Sequence, residues 1–136
     1  MFEEASHIPE MIFGLDYNAF MNDTTKKYAI CMVLVNVGEL ANKLSDDFRN
    51  EHSALPLAQM RKTRNVIAHD YDQIKWPLIR GIATQDVPVL LPELERILKE
   101  YEAKEGPFDF ESNHNNNLRL IARADKTFDD DSENVK

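Results

Sequence analysis

Apolar residues recur at steps of three and four along most of the chain, which is the spacing of one face of an α-helix. The clearest example begins after Asn22 or Asp23, either of which is a good helix cap, and continues to about Leu44. Two apolar stripes run along it, Ile30, Val33, Val37, Leu40 and Leu44 beside Tyr28, Cys31, Leu34 or Val35, Gly38 and Ala41. A helix with so much apolar surface is expected at the centre of a domain, covered from two sides. Gly38 makes the helix less stable by roughly 1 kcal/mol than alanine would. A glycine at this position indicates that another backbone approaches the helix closely there.

Start and stop signals divide the rest of the chain into further helices. Asp16 can cap a brief turn, and both Leu55-Pro56 and Trp76-Pro77 are typical of a helix start. Asp86 is expected to cap the last helix, with Pro88 in its first turn. The predicted elements cover residues 2–13, 16–20, 23–44, 55–70, 76–84 and 86–103. No strand-like alternation persists and no hairpin signal is present, so the pattern predicts an all-α, up-and-down helical bundle of about five to six helices.

The helical pattern stops at Gly106-Pro107. Residues 1–105 are therefore expected to form one helical domain. Residues 106–136 are expected to form a partly disordered, acidic C-terminal tail, in which the apolar patch LRLIARA can dock as one or two helical turns.

Composition limits the classes of protein that fit. A net charge of −8 argues against a general nucleic-acid coat, although it allows an enzyme that meets RNA at a locally positive cleft. The single cysteine, Cys31, cannot form an internal disulfide, and the longest apolar run is too short to span a bilayer. A soluble, cytoplasmic protein with no membrane partner is expected.

The segment RNVIAHDY, from Arg64 to Tyr71, mixes core-like residues with groups that can act on a phosphate ester. On a helix, Asn65 and His69 are four residues apart and share a face, and a long arginine at position 64 can reach round its edge. Tyr71 falls just past the expected helix end, where the turning chain can bring its phenol back beside His69.

This set of residues can support cleavage of RNA without a metal ion. His69 can take the proton of a ribose 2′-hydroxyl or give one to the leaving oxygen. Arg64 can stabilise the charge that develops on the phosphoryl oxygens, and Asn65 and Tyr71 can add hydrogen bonds. Because this reaction benefits from both an acid and a base, two copies facing each other in a symmetric dimer suit it better than one.

A purely structural alternative remains open from the residues alone. His69 can be a favourable charge at the C-terminus of a helix, and Arg64 can pair with a carboxylate elsewhere. Cofactor and metal chemistry have weaker support: His7, His52 and His114 are scattered without metal-ligand spacing, and one cysteine makes a zinc site improbable. We expect neither a metal nor a cofactor.

The segment resembles the signature of the HEPN superfamily, and in particular that of HepT-like toxins. The match consists of Arg64, Asn65, His69 and Tyr71. The stretches GLDYNAFMND, VNVGELANKLSDDFR, LPLAQMRKTRNVIAHDYDQIKW and IATQDVPVLLPELERIL follow one another in the order and spacing of that family, over residues 10–100.

The resemblance implies a HEPN-type bundle that forms a homodimer, with both motifs lining one cleft. It implies the toxin of a type II toxin–antitoxin system, an RNase with Arg64 and His69 as catalytic residues and Asn65 in support. Its partner would be an MNT-type minimal nucleotidyltransferase that transfers AMP to Tyr71. Glu39 belongs to a Gly-Glu pair that recurs in the family, and two roles stay open for it, steadying Arg64 or lying in solvent. A different class also stays open: a non-catalytic module that binds a nucleotide or the nucleotidyltransferase.

Overall fold

The computed structural model describes residues 1–105, and every described element is helical. The elements are α1 (Phe2–Ile12), α2 (Tyr17–Asn22), α3 (Thr24–Asn42), α4 (Asp46–Glu51), α5 (Leu57–His69), a 3-10 turn (Tyr71–Gln73), α6 (Trp76–Gly81), a π-turn (Ile82–Asp86) and α7 (Val87–Glu105). Since the π-turn joins α6 to α7 without a break, these residues contain six separate α-helical pieces. The predicted all-α helical bundle is confirmed.

The central position expected for α3 is also confirmed. Its buried residues lie on more than one side of the helix: Ile30, Cys31, Val33, Leu34, Val37, Gly38 and Ala41. The helices α5 and α1 are its main neighbours. Asp23 caps its start as a side-chain acceptor for the backbone N–H of Lys26, and Asp16 caps α2 in the same way.

Two hydrophobic clusters form the core. The larger joins α1, α2, α3, α5, α6, the π-turn and the start of α7, and it contains Ala5, Ile8, Phe20, Ile30, Cys31, Val33, Leu34, Val37, Ile67, Ile79, Ala83 and Val87. The smaller contains Ala41, Leu55, Leu57, Leu94 and Ile97. Within residues 1–104, no polar or charged residue is buried in either cluster. The polar and charged groups able to do chemistry therefore lie at or near the surface, and Cys31 is the reactive group inside the larger cluster.

The expected helix cap at Asp86 is wrong. Asp86 lies inside the π-turn, and the N–H of Val87 donates to the carbonyl of Ile82, five residues earlier. Pro88 has no N–H and its ring crowds the carbonyl four residues before it, which an ordinary α-helix does not accommodate well. A wider turn immediately before the proline relieves that crowding, so the chain continues as a helix instead of stopping and starting again.

The sequence patterns also missed α4. This six-residue helix begins with Ser45, whose hydroxyl accepts from the N–H of Phe48, and none of its residues is buried. It carries no apolar stripe, so hydrophobic spacing gave no signal, although serine followed by two aspartates is a typical helix start.

Residues Met1–Lys99 form one compact unit, and a second unit begins at Glu100, within the last turns of α7. The expected acidic tail, residues 106–136, lies outside the described residues, so the proposed boundary at residue 105 stays a prediction. No helix within residues 1–105 combines the length and apolar character needed to cross a membrane.

Candidate functional site

The packing of α5 on α3 determines where Arg64 lies. A Cβ atom added to Gly38 would come within 2.9 Å of the carbonyl oxygen of Met60, and closer still to the Cβ of Arg64. Real Cβ atoms do not approach other atoms so closely, so only glycine lets the first carbons of Arg64 rest on α3. The close approach expected at Gly38 is thus present, and it occurs directly beneath the candidate catalytic arginine.

The Arg64 guanidinium connects three other polar side chains. Its Nε donates to the carboxylate of Glu39, and its Nη1 donates to the Oδ1 of Asn65 at 2.9 Å. The same Nη1 lies 3.3 Å from the Nε2 of His69. Glu39, Arg64, Asn65 and His69 therefore form one contiguous group, which we call the charged cluster. The Arg64 side chain is 24% exposed, while Asn65 and His69 are exposed at the surface.

The contact between Arg64 and His69 depends on the tautomer of the imidazole. Because a guanidinium only donates hydrogen bonds, this contact is a hydrogen bond when Nε2 of His69 accepts and Nδ1 carries the ring proton. Among the described residues, Nη2 of Arg64 has no hydrogen-bond partner. A phosphate at this surface would find one unpaired donor, Nη2, and a second donor, Nη1, whose move to the phosphate would free the lone pair of His69 Nε2.

The two contacts expected if Arg64 and His69 had only a structural role are also present. His69 is the last residue of α5, where the helix dipole favours positive charge, and Arg64 does pair with a carboxylate. The pair with Glu39 uses only Nε and crosses from one helix to the next. It therefore orients the rest of the guanidinium toward Asn65 and His69, so the structural role and the chemical one are compatible.

Tyr71 lies two residues past the end of α5, on the 3-10 turn. The sequence predicts that its phenol can turn back beside His69; in the structure its ring packs against Tyr28 and Trp76, with centroids 5.9 and 6.3 Å away. We call Tyr28, Tyr71 and Trp76 the aromatic cluster. A hydrogen bond between the two tyrosine hydroxyls, with smaller contributions from desolvation and nearby negative charge, raises the pKa of Tyr71 to about 12.

Sequence reasoning did not identify Tyr28 or Trp76 as neighbours of the motif. The sequence pattern places Tyr28 in an apolar stripe and Trp76 at a helix start, and no local spacing relates either residue to Tyr71. Tyr28 is in fact 52% exposed, which is unusual for a large residue on the central helix. The contact arises because α3 and α5 are antiparallel: Gly38 lies beside Arg64, and Tyr28, earlier on α3, lies beside the chain that follows α5.

The other candidate groups for chemistry are not part of this site. In the described part of the chain, no three His, Cys, Asp or Glu residues lie together in a way that could hold a metal ion. Cys31 is buried, and desolvation raises the pKa of its thiol to about 11, so it is a thiol and not a thiolate at neutral pH.

Comparison with known proteins identifies the family. The family model described as "Ribonuclease HepT-like" matches residues 1–97. This chain belongs to the HepT-like ribonuclease family. That match includes the whole charged cluster and the whole aromatic cluster. The HEPN-type resemblance drawn from Arg64, Asn65, His69 and Tyr71 is thereby confirmed.

Individual relatives are similar to this chain over most of their length. "Putative RNase MJ1380" of Methanocaldococcus jannaschii is 32% identical over 93 residues, which cover 68% of this chain and 85% of that protein. "Putative RNase TTE0752" of Caldanaerobacter subterraneus is 26% identical over 103 residues, 76% of this chain and 88% of that one. "Probable ribonuclease HepT" of Thermococcus cleftensis is 23% identical over 92 residues, 68% and 84% of the two chains. No solved structure matches the chain significantly.

Proposed function

We propose that this protein is the toxin of a type II toxin–antitoxin system, a metal-independent endoribonuclease that acts on RNA in the cytoplasm. The observation that carries the proposal is the contact of one guanidinium nitrogen, Nη1 of Arg64, with both Asn65 and His69 at an exposed helix end. A cation and an imidazole at hydrogen-bond distance are two of the groups that phosphoryl transfer uses in the absence of a metal ion.

The reaction would begin when a phosphate of the RNA backbone draws the Arg64 donors toward its oxygens. Nε2 of His69 is then released to accept the proton of the ribose 2′-hydroxyl. The 2′-oxygen forms a bond to phosphorus and the bond from phosphorus to the 5′-oxygen breaks, which leaves a 2′,3′-cyclic phosphate and a 5′-hydroxyl. The leaving 5′-oxygen needs a proton, and the excess negative charge of the transition state is stabilised by Arg64.

A homodimer would supply the missing acid. His69 can serve as base or acid but not as both within one cleavage, so a second His69, protonated and across a two-fold axis, would complete the pair. The exposed position of His69 at the end of α5 supports this arrangement, because a second copy can reach it. Asn65 would hold the Arg64 guanidinium in position while the proton is removed from the 2′-hydroxyl and another is given to the 5′-oxygen.

Neutralisation would fall to a cognate MNT nucleotidyltransferase that transfers AMP from ATP to the oxygen of Tyr71 and releases pyrophosphate, while the phenol loses its proton. Tyr71 is 44% exposed and follows His69 by two residues, which supports a modification of this residue beside the motif. Each AMP adds negative charge and bulk, which would repel RNA and hinder access to His69. Incubation with ATP, magnesium and the partner should increase the mass of the wild-type protein by AMP units and leave a Tyr71→Phe variant unchanged.

The decisive experiment is cleavage of total cellular RNA by the purified chain with EDTA present. We expect fragments with cyclic phosphate ends from the wild type and none from His69→Ala. His7→Ala is the matched control, because His7 is an exposed histidine on α1. Cleavage that survives the loss of His69, or that stops when EDTA is added, would contradict the proposal.

The acidic charge of the chain favours one alternative, a non-catalytic module that binds a nucleotide or the nucleotidyltransferase, with Tyr71 chiefly a site of modification. Modification at Tyr71 is expected under both functions, so it does not separate them. RNA that stays intact with unmodified protein, together with tight binding of the transferase, would favour the module.

A further inference from the structure

The aromatic cluster offers more apolar surface than a role in packing requires. Tyr28 and Tyr71 are 52% and 44% exposed, and Trp76 is half-buried. The three ring centroids lie 5.9 to 6.5 Å from one another, and the rings are tilted between 51° and 75°. Each ring is thus held by the other two, while part of each tyrosine remains in contact with solvent.

Positive charge borders the cluster although the chain as a whole is acidic. The ammonium of Lys27 lies 4.6 Å from the centroid of the Trp76 ring, a cation–π contact. A second cation, Arg64, contacts His69, which precedes Tyr71 by two residues. The opposing charges that flank Tyr71 in the chain, Asp70 and Asp72, are both exposed. Exposed aromatic rings next to a lysine are the usual equipment for binding single-stranded nucleic acid, because bases stack on the rings and phosphates pair with the cation.

We propose that the aromatic cluster binds an unpaired base of the RNA substrate, at a nucleotide beside the one that is cleaved, and that Lys27 contacts a phosphate next to that base. The proposal rests on the proposed function, since it places the base relative to the cleaved phosphate.

Position is the strongest argument for this occupant. Tyr71 follows His69 by two residues, so their Cα atoms lie at most about 7 Å apart. A base stacked on the rings would therefore be joined through its own backbone to a phosphate within reach of Arg64 and His69. Cleavage would then require an unpaired base at that place, and duplex RNA would be a poor substrate, because its bases are stacked on one another and cannot reach the rings.

The cluster contains its own reporter, because Trp76 is the only tryptophan of the chain. The test is a titration of the full-length wild-type protein with a short single-stranded RNA that is fully 2′-O-methylated. This RNA keeps its bases and phosphates but lacks the attacking hydroxyl, so binding can be measured whether or not the protein cleaves RNA. We expect saturable quenching of Trp76 fluorescence, and no quenching by an abasic strand of the same length and charge.

Three variants separate stacking from general effects. Tyr28→Ala should weaken binding about fivefold or more, which is typical for the loss of one stacking ring. Tyr28→Phe should restore most of that affinity, because the ring matters and the hydroxyl does not. Tyr17→Ala is the matched control: Tyr17 is 48% exposed and its ring lies 5.8 Å from the Arg80 guanidinium, yet it belongs to a different helix. Its affinity should equal that of the wild type, and circular dichroism should confirm that all three variants are folded.

Equal binding of the abasic and the complete strand would overturn the proposal, as would wild-type affinity in Tyr28→Ala. The proposal would also be overturned if AMP alone quenched Trp76 at the same concentrations as the RNA strand, because the cluster would then be a mononucleotide site. Cleavage of cellular RNA without base-dependent quenching would refute this inference and leave the nuclease intact. Base-dependent quenching without cleavage would refute the nuclease and leave the base site.

Discussion

The charged cluster and the aromatic cluster adjoin on the surface but are built in different ways. The charged cluster depends on helix packing, because Arg64 rests on Gly38 and is oriented by Glu39 from the neighbouring helix. The aromatic cluster depends on the chain after α5, where a 3-10 turn carries Tyr71 toward rings on two other helices. Changes in the first should therefore alter the rate of the chemical step, and changes in the second should alter binding.

The largest effect should come from Arg64→Ala, which removes the cation of the charged cluster. Loss of one donor that stabilises a transition state typically costs about 100-fold to 1,000-fold in rate, so cleavage should fall by about that factor. Lys62→Ala removes the same charge from an exposed position on the same helix and should change the rate little. Equal losses in the two variants would mean that α5 contributes only general positive charge. Single-turnover cleavage of a short RNA measures both.

The next effect should come from Gly38→Ala. The new methyl group would overlap the stem of Arg64 and the Met60 carbonyl, so α5 has to move outward. Overpacking of this kind costs about 1 to 3 kcal/mol in free energy of unfolding, and it should lower the cleavage rate at the same time because Arg64 is displaced.

Gly81→Ala is the matched control for that change. A Cβ at Gly81 meets no atom within 4 Å, and its φ of −59° is helical. This variant should be more stable by about 0.5 to 1 kcal/mol, with the cleavage rate unchanged. Urea unfolding measures both glycine variants, and a stable, fully active Gly38→Ala protein would break the link between helix packing and the charged cluster.

A smaller effect is expected for Glu39→Gln, which keeps an acceptor for Nε of Arg64 but removes the negative charge. Hydrogen bonds to charged groups are stronger than neutral ones by roughly 1 kcal/mol, so the cleavage rate should fall about fivefold. Glu93→Gln alters a carboxylate that pairs with Arg96 three residues along the same exposed helix face, and it should not affect the rate. If Glu39 acts by positioning, kcat should fall more than KM rises, which steady-state kinetics can distinguish.

The smallest effect, confined to the aromatic cluster, is expected for Tyr28→Phe. Without the hydroxyl partner, the pKa of Tyr71 should fall from about 12 toward its ordinary value of 10.0. Because the folded state favours the neutral phenol, its stabilising contribution is complete below pH 10.0 and is lost as the pH rises toward about 12. The absorbance of the tyrosinate on titration to alkaline pH follows this change, and an unchanged Tyr71 titration in the variant would argue against the hydroxyl contact.

How far the sequence predicts this molecule depends on whether the cause of a feature is local. Asp16 and Asp23 cap their helices as expected, because a cap is a contact over three residues. Gly38 indicated a close helix contact, since an unfavourable residue inside a strong helix pattern requires a reason outside the helix. The cap expected at Asp86 failed because the next proline is accommodated by a π-turn, which no residue preference indicates.

In the candidate site, too, contacts with a local cause could be predicted and contacts between distant residues could not. Asn65 and His69 share a helix face by spacing alone, so their proximity followed from the pattern. The contact of Arg64 with Glu39 joins residues 25 positions apart and was open between two roles until the helices were placed. Tyr28 and Trp76 approach Tyr71 only through the antiparallel arrangement of α3 with the chain after α5, and no local pattern contains that information.

The uninterrupted passage from α6 through the π-turn into α7 has a consequence for unfolding. Ile79, Ala83 and Val87 on this long helix belong to the larger hydrophobic cluster, whereas Leu94 and Ile97 farther along it belong to the smaller one. Helix α3 joins the same two clusters through Val37 and Ala41. Neither cluster can open alone without breaking backbone hydrogen bonds in the two helices they share. The two hydrophobic clusters should therefore melt in a single cooperative step, with one transition in thermal unfolding.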